Sequence, residues 1–141
     1  PDVVIGPDHK LYPESHPDHL RVGEAVSKAY FMCSNVNMMK SVGATQIAKP
    51  TVLAYYFTGK PNRFVKITKK DFEKTKAAYA CFVSQCPPPD NGKSLMLYMR
   101  LKVRLNGLRS FHIRADAFRV MNNMHIHCCG EAEDTAIRRP L

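Results

Sequence analysis

Several features that mark common protein classes are missing from this sequence. No apolar run is long enough to cross a bilayer, so no transmembrane helix is predicted. No nucleophile motif, phosphate-cradling loop or paired-carboxylate signature is present, so we expect neither catalysis nor a bound cofactor. Tryptophan and Asn-X-Ser/Thr sequons are also absent. The function classes that remain are those in which a protein acts by binding a partner.

Acidic residues are scarce relative to basic ones. The chain has 141 residues, with 21 Lys and Arg against 12 Asp and Glu, and its formal net charge is +9. A charge of that size attracts polyanions such as nucleic acids, acidic glycans and anionic membranes. The net charge does not select among these partners.

Cysteine is present in an odd number and without a CxxC pair. The five residues are Cys33, Cys81, Cys86, Cys128 and Cys129. An odd count leaves at least one thiol free or paired between chains, so the disulfide pairing stays open. Two of the five end the ligand-dense stretch His125–Cys129, which suggests a zinc-stabilised interaction module as one hypothesis. A second ligand pair is missing, so we expect buried thiols or disulfides there and no metal.

The length fits a single domain covering residues 1–141. Residues 1–20 contain four prolines, with His9, His16 and His19 among them, and predict an irregular N-terminal arm. Residues 130–141 predict a polar C-terminal tail. The sequence opens without Met or an apolar signal core, which indicates a trimmed chain or a mature secreted one.

Three segments have the spacing of amphipathic helices. The first runs from Val22 to about Gly43, with apolar residues every three or four positions. A second is predicted from Pro50 to Gly59, because proline is well suited to the first helical turn. A third follows Thr68, which forms a capping-box pattern with Asp71, and runs through Cys86 until the prolines at 87–89 end it.

Residues 93–124 fit two templates equally well. Leu97, Leu101, Leu105 and Leu108 recur at helical spacing. Alternation over residues 97–105 equally predicts a strand, with Asn106-Gly107 as a hairpin turn. The sequence leaves helix and hairpin open for this segment.

The same segment holds the strongest candidate binding surface. Its cations are barely balanced by acids and alternate with large apolar residues, which suits either an anionic membrane or single-stranded nucleic acid. The candidate membrane- or polyanion-binding residues are Arg100, Lys102, Arg104, Arg109, Arg114, Arg119, Leu97, Tyr98, Met99 and Phe111. The alternative interpretation of the apolar members is an ordinary core.

Four short stretches carry a family resemblance. They are Met39-Lys40, residues 42–45 (Val-Gly-Ala-Thr), residues 53–57 (Leu-Ala-Tyr-Tyr-Phe) and residues 67–70 (Ile-Thr-Lys-Lys). With the basic charge and the chain length, they resemble the sperm acrosomal proteins of abalone, lysin and its membrane-fusing relative. This sequence departs from lysin in lacking Trp and in carrying five cysteines and the prolines at 87–89.

The resemblance implies an all-α fold, a single-domain helical bundle with long amphipathic helices. It also implies a secreted, non-enzymatic protein of the sperm acrosomal vesicle that binds and perturbs membranes at fertilisation. The expected partners are then an anionic lipid membrane or the egg surface, with self-association as a further expectation. The alternative from the residues alone is a β-barrel of the OB type that binds single-stranded nucleic acid.

Overall fold

The computed structural model describes residues 1–11 and 14–128 and shows a mixed α/β chain. In chain order the elements are β1 (Val3–Pro7), α1 (Pro17–Met32), α2 (Val36–Ser41), β2 (Val52–Tyr56), β3 (Arg63–Lys66), α3 (Lys69–Ala80), a 3₁₀ turn (Val83–Gln85), α4 (Lys93–Arg109), β4 (Ala115–Met121) and α5 (Asn123–Cys128). The strands form one four-stranded sheet in the order β1-β2-β4-β3. The predicted all-α bundle is therefore wrong, and so is the alternative OB barrel.

The sheet is mixed because β1 and β2 run parallel whereas β4 runs antiparallel to β2. Parallel neighbours need a crossover connection, and α1 with α2 supplies it between β1 and β2. Of the helices in the described residues, none has the length and apolar content to cross a membrane.

The described residues among the first twenty include a strand and the start of a helix, where the sequence predicts an irregular arm. The β-branched run Val3-Val4-Ile5 forms most of β1, and Pro17 lies in the first turn of α1. The predicted polar tail at 130–141 lies outside the described residues.

Helix α1 packs closely against β1 because two glycines leave room for it. A Cβ on Gly6 would lie 2.9 Å from a methyl of Val26, and one on Gly23 would lie 2.6 Å from the carbonyl oxygen of Pro7. The helix predicted to run on to Gly43 is divided into α1 and α2. Asn35 divides it, because its side chain accepts the first amides of α2.

The second predicted helix, from Pro50 to Gly59, is wrong because residues 52–56 form the central strand β2. Leu53 and Tyr55 in this strand are among the most buried residues. A short apolar run buried on both faces has the same composition in a strand and in a buried helix, so spacing could not separate them. Together with Tyr30 these two side chains form a core cluster, packed against Val4, Val26, Met121 and Ile126.

The chain divides into two compact units. The first unit comprises Pro1–Arg63 and the described residues from Phe118 onward, and the second unit comprises Phe64–Ala117. Strand β4 passes from the second unit into the first. Whether the chain behaves as one domain stays a prediction.

Two predictions for the second unit are confirmed in part. Thr68 and Asp71 form the predicted capping box at the start of α3, but the helix ends at Ala80 and does not run on to the prolines at 87–89. Residues 93–109 are helical as the first template predicts, but its continuation is wrong because residues 115–121 form strand β4, and the strand at 97–105 and the Asn106-Gly107 hairpin turn are also wrong. Gly107 is buried in the last turn of α4, where a Cβ would lie 2.6 Å from the carbonyl oxygen of His112.

Candidate functional site

The candidate site lies at the carboxyl ends of the parallel strands in the first unit. Residues 8–11 follow β1, residues 14–16 lead into α1, and Phe57 follows β2. The backbone amide of Asp8 donates to the carbonyl of Tyr56 at 2.9 Å, which holds the two strand ends together. Ligands of open α/β sheets bind in this position, beyond the carboxyl ends of the strands.

Four polar side chains at the start of α1 form what we term the histidine cluster: Glu14, His16, Asp18 and His19. The two imidazole rings stack with their centroids 4.7 Å apart and their planes at 27°. His16 is the residue that caps α1 and His19 lies in its first turn, so a three-residue spacing brings both rings to one side of the helix end.

Glu14 positions the cluster through both of its carboxylate oxygens. Oε1 accepts the backbone N–H of His16 at 2.8 Å, and Oε2 lies 2.9 Å from Nδ1 of His19. These bonds, the one with His19 most of all, hold the pKa of Glu14 below its ordinary value. An ionised carboxylate only accepts, so Nδ1 of His19 is the donor and Nε2 of the neutral ring carries the free lone pair.

His16 has the opposite arrangement. Its Nδ1 accepts the backbone N–H of Asp18 at 3.3 Å and lies 4.0 Å from the carboxylate of the same residue. In the neutral ring the proton is then on Nε2, which makes that atom a hydrogen-bond donor. The two stacked imidazoles therefore present one donor and one acceptor nitrogen.

This arrangement suits proton transfer or metal ligation. A histidine that binds a metal usually donates its other ring N–H to a carboxylate, as His19 does to Glu14. Imidazole and carboxylate are also the donors that Zn²⁺ accepts. Within the described ranges, no three or more His, Cys, Asp or Glu side chains are grouped so that they could hold a metal ion.

A buried ion pair lies at the same end of β1. Nη2 of Arg119 on β4 lies 2.6 Å from Oδ1 of Asp8, and the two side chains are 14% and 4% exposed. The guanidinium also lies 4.9 Å from the ring centroid of Tyr55. His9 meets the same ring edge-on at 5.7 Å, and burial lowers the pKa of His9. The end of β1 is thereby fixed to β2 and β4.

Phe57 lies beside His19 in the candidate site. It has a φ of 49°, a left-handed conformation that a bulky side chain rarely adopts, and its ring lies 6.2 Å from that of His19. Backbone strain of this kind concentrates at functional sites, where the surrounding structure enforces it.

The residues predicted to bind a membrane or polyanion lie elsewhere in the chain. Those at 97–109 are on α4, Phe111 and Arg114 follow it in the second unit, and Arg119 is the partner of Asp8. Leu97, Tyr98 and Phe111 are exposed, whereas Met99 and Lys102 are partly buried. Their binding role stays a prediction. In the ligand-dense stretch His125–Cys129, His125 lies on α5 with Nδ1 2.6 Å from Oδ1 of Asn122, and Cys129 lies outside the described residues.

Sequence reasoning noted His16 and His19 but assigned them to an irregular arm. The pattern that could have identified them is a β-branched run followed by His-Pro-Asp-His, with the proline placed to open a helix. Glu14 carries no such pattern, because its role depends on the fold of the loop before α1.

Comparison with known proteins finds deacetylases. The chain is 31% identical over 133 residues to the diacetylchitobiose deacetylase of Thermococcus kodakarensis, a match that covers 92% of this chain and 48% of the relative. It superimposes with a TM-score of 0.78 on the N,N′-diacetylchitobiose deacetylase of Pyrococcus horikoshii, solved with an inhibitor, at 28% identity over 91% of this chain and 48% of that one. The chain thus spans about half the length of these relatives. No model of a known protein family matches the sequence.

These comparisons correct the functional predictions. The resemblance to abalone sperm proteins is wrong, because the relatives that match nearly the whole chain are archaeal deacetylases. The predicted non-enzymatic role in gamete fusion, with a lipid membrane or egg surface as partner, is contradicted for the same reason, and the nucleic-acid alternative gains no support. The predicted secreted location stays a prediction.

Proposed function

We propose that this protein contributes to the hydrolytic deacetylation of an N-acetylated chitooligosaccharide such as diacetylchitobiose. The observation that carries the proposal is the 31% identity to a diacetylchitobiose deacetylase along 92% of this chain. The chain spans about half of that relative's length. We assign the reaction to the histidine cluster, because it lies where α/β folds bind their ligands.

Deacetylation breaks the amide bond between the acetyl group and the sugar nitrogen. Water attacks the acetyl carbonyl carbon, the carbonyl oxygen becomes an oxyanion, and the C–N bond then breaks to give acetate and a free amine that has gained a proton. The cluster offers one group that can act on the attacking water and one that can stabilise the oxyanion. Nε2–H of His16 can donate to the developing oxyanion, and Nε2 of His19 carries the lone pair that the attacking water requires, either directly or through a metal ion.

Two donors of the cluster are of kinds that Zn²⁺ accepts, although the described residues do not group the three ligands that a complete site needs. His19 has a free Nε2 and a carboxylate behind its Nδ1, which is the arrangement of a metal-binding histidine. His19, with Asp18 as a neighbouring carboxylate, would hold part of such a site. When bound there, Zn²⁺ would polarise the acetyl carbonyl and lower the pKa of a bound water. The chain's own contribution is to fix the tautomer and the orientation of His19 through Glu14.

The proposal is tested by measuring acetate release from N,N′-diacetylchitobiose. His19→Gln and His16→Gln are each expected to reduce kcat by about 100-fold or more, the usual effect of losing a proton-transfer or oxyanion-stabilising group. His112→Gln is the control, because this exposed histidine lies in the second unit. If the wild type releases acetate and all three variants release it at equal rates, the assignment of the reaction to the histidine cluster is wrong. If the wild type releases no acetate, the proposed deacetylation is wrong.

Metal dependence separates the two roles of His19. If His19 binds a metal, chelation with EDTA abolishes acetate release, and added Zn²⁺ restores it in the wild type but not in His19→Gln. Release that persists at full rate in EDTA shows instead that His19 acts on the water directly.

A further inference from the structure

Helix α4 has apolar residues on two opposite faces. At about 100° per residue, Val103, Asn106 and Gly107 fall on one side of the helix, and these three are buried. Leu97, Leu101, Leu105 and Leu108 fall within about 80° of one another on the other side. We term these four residues the leucine stripe.

The leucine stripe is exposed along its whole length. Leu97 is 58% exposed, and Leu108 at the far end is 77% exposed. Phe111, two residues beyond the helix, is 98% exposed and held at a φ of 59°. Single exposed apolar side chains are ordinary, but a continuous row on one helix face marks an interaction surface.

An open groove runs beside the start of the stripe. Its volume is about 290 Å³, and its apolar lining comes from Phe72 on α3 with Met96 and Leu97 on α4. Lys76, Lys93 and Arg100 line the same groove. A groove of this composition accepts one large apolar side chain. Lys76 already pairs with Glu73 at 2.9 Å, so Lys93 and Arg100 are the cations that a negatively charged group would approach.

The charged residues of α4 itself are all positive. Helix α4 contains five Lys and Arg and no Asp or Glu. At about 100° per residue, Lys93, Arg100 and Arg104 border the stripe on one side. A second copy of this chain placed against the stripe would bring the same cations into contact with these, and like charges oppose association. The charge pattern therefore favours a partner with acidic flanks.

We propose that the leucine stripe and its groove are the docking surface for an amphipathic helix of another protein, one whose apolar face is bordered by Asp and Glu. Its leucine-like residues would cover the stripe, and one large side chain would enter the groove at Phe72. Carboxylates on its flanks would pair with Arg100 and Arg104. This is recognition of a helix by a groove, with charge setting the orientation and choice of partner.

The test uses a synthetic acidic helix of about five turns, with leucines at helical spacing and glutamates on both flanks, labelled for fluorescence anisotropy. The wild-type protein is expected to bind it. Leu101→Ser with Leu105→Ser should weaken binding by about tenfold or more, since each substitution removes an apolar contact that would be buried in the complex. Arg100→Glu with Arg104→Glu should weaken binding most at low salt.

The controls separate docking from simple charge attraction. Val42→Ser, an exposed apolar position in the first unit, should bind the peptide as the wild type does. A peptide of the same composition with its leucines scattered should bind at least tenfold more weakly. Equal binding of the two peptides, or unchanged binding by the Leu101→Ser, Leu105→Ser variant, overturns the proposal.

Two further measurements would also overturn it. Sedimentation showing a wild-type dimer that this leucine variant abolishes would assign the surface to self-association. Binding to phosphatidylserine vesicles without binding to the acidic helix would assign it to lipid. None of these measurements depends on acetate release, so failure here leaves the proposed deacetylation untouched.

Discussion

The two units of this chain distribute polar and apolar groups in opposite ways. In the first unit, Tyr30, Leu53 and Tyr55 are buried together, and polar side chains converge at the carboxyl ends of the strands. The second unit buries few large side chains, whereas its longest helix exposes a row of leucines. The second unit contains eleven Lys and Arg but only four Asp and Glu.

The difference shows where each unit can act. Polar groups held by hydrogen bonds and backed by a buried ion pair have fixed geometry, which chemistry on a substrate requires. An exposed apolar row bordered by long cationic side chains can adapt to a partner surface. The first unit is thus suited to catalysis and the second unit to association.

The largest expected effect comes from the buried ion pair of the first unit. Arg119→Met leaves the carboxylate of Asp8 buried without a counter-charge, and we expect a loss of about 3–5 kcal/mol in the free energy of unfolding. Arg104→Met, at an exposed position of the second unit, should change it by less than about 0.5 kcal/mol. Urea unfolding followed by circular dichroism measures both.

The double variant Asp8→Asn, Arg119→Met sharpens this comparison. It removes the unpaired charge and should recover a large part of the stability lost in Arg119→Met alone. Equal losses in Arg119→Met and Arg104→Met would show that the ion pair does not distinguish the two units.

An intermediate effect is expected from the two glycines at close contacts, one in each unit. Gly23→Ala and Gly107→Ala each place a Cβ 2.6 Å from a backbone carbonyl oxygen, so each should cost about 1–3 kcal/mol. Gly23 lies in α1 opposite Pro7, so only its replacement should also shift the histidine cluster and slow acetate release.

Gly59→Ala is the matched control for both. Its Cβ would meet only a methyl of Leu11 at 3.4 Å, an ordinary contact, and its stability should stay close to that of the wild type. If Gly107→Ala slowed acetate release as much as Gly23→Ala at equal stability, the assignment of catalysis to the first unit would be wrong.

The smallest effect is a pH dependence that originates in Glu14. Its pKa is lowered in the folded protein, chiefly by the bond with His19. The stabilisation is therefore fully present above the pKa of about 4.3 of an unfolded glutamate, and it is lost as pH falls through the lower, folded pKa. Unfolding free energies measured by urea between pH 6 and pH 2.5 should show a shallower acid decline in Glu14→Gln than in the wild type.

The second unit supplies the comparison for this prediction. Asp71 also has a lowered pKa, chiefly because of its hydrogen bonds with Thr68 in the α3 capping box. Asp71→Asn should likewise flatten the acid decline, but without changing acetate release. An acid decline unaltered in Glu14→Gln would show that the Glu14–His19 bond does not form in solution.

More of the second unit than of the first could be predicted from the sequence. The α3 start at Thr68 follows from a pattern that is complete within a few residues of chain, whereas the sequence left helix and hairpin open for residues 93–124. Residues 50–59 were predicted as a helix because Val52–Tyr56 is a short apolar run, and its state depends on the strands beside it. The prolines before residue 20 favoured an irregular arm, so neither β1 nor the histidine cluster was predicted.

The sequence by itself determined the excess of positive charge, the capping box of α3 and the helical spacing of the leucines at 97–108. Each of these depends on residue type or on contacts between neighbours in the chain. Only the tertiary structure decided that Val52–Tyr56 is a central strand, that Arg119 pairs with Asp8 across 111 residues, and that the leucine stripe faces away from the buried side of α4. Burial and long-range pairing depend on groups far apart in the chain, and local pattern does not encode which of them will meet.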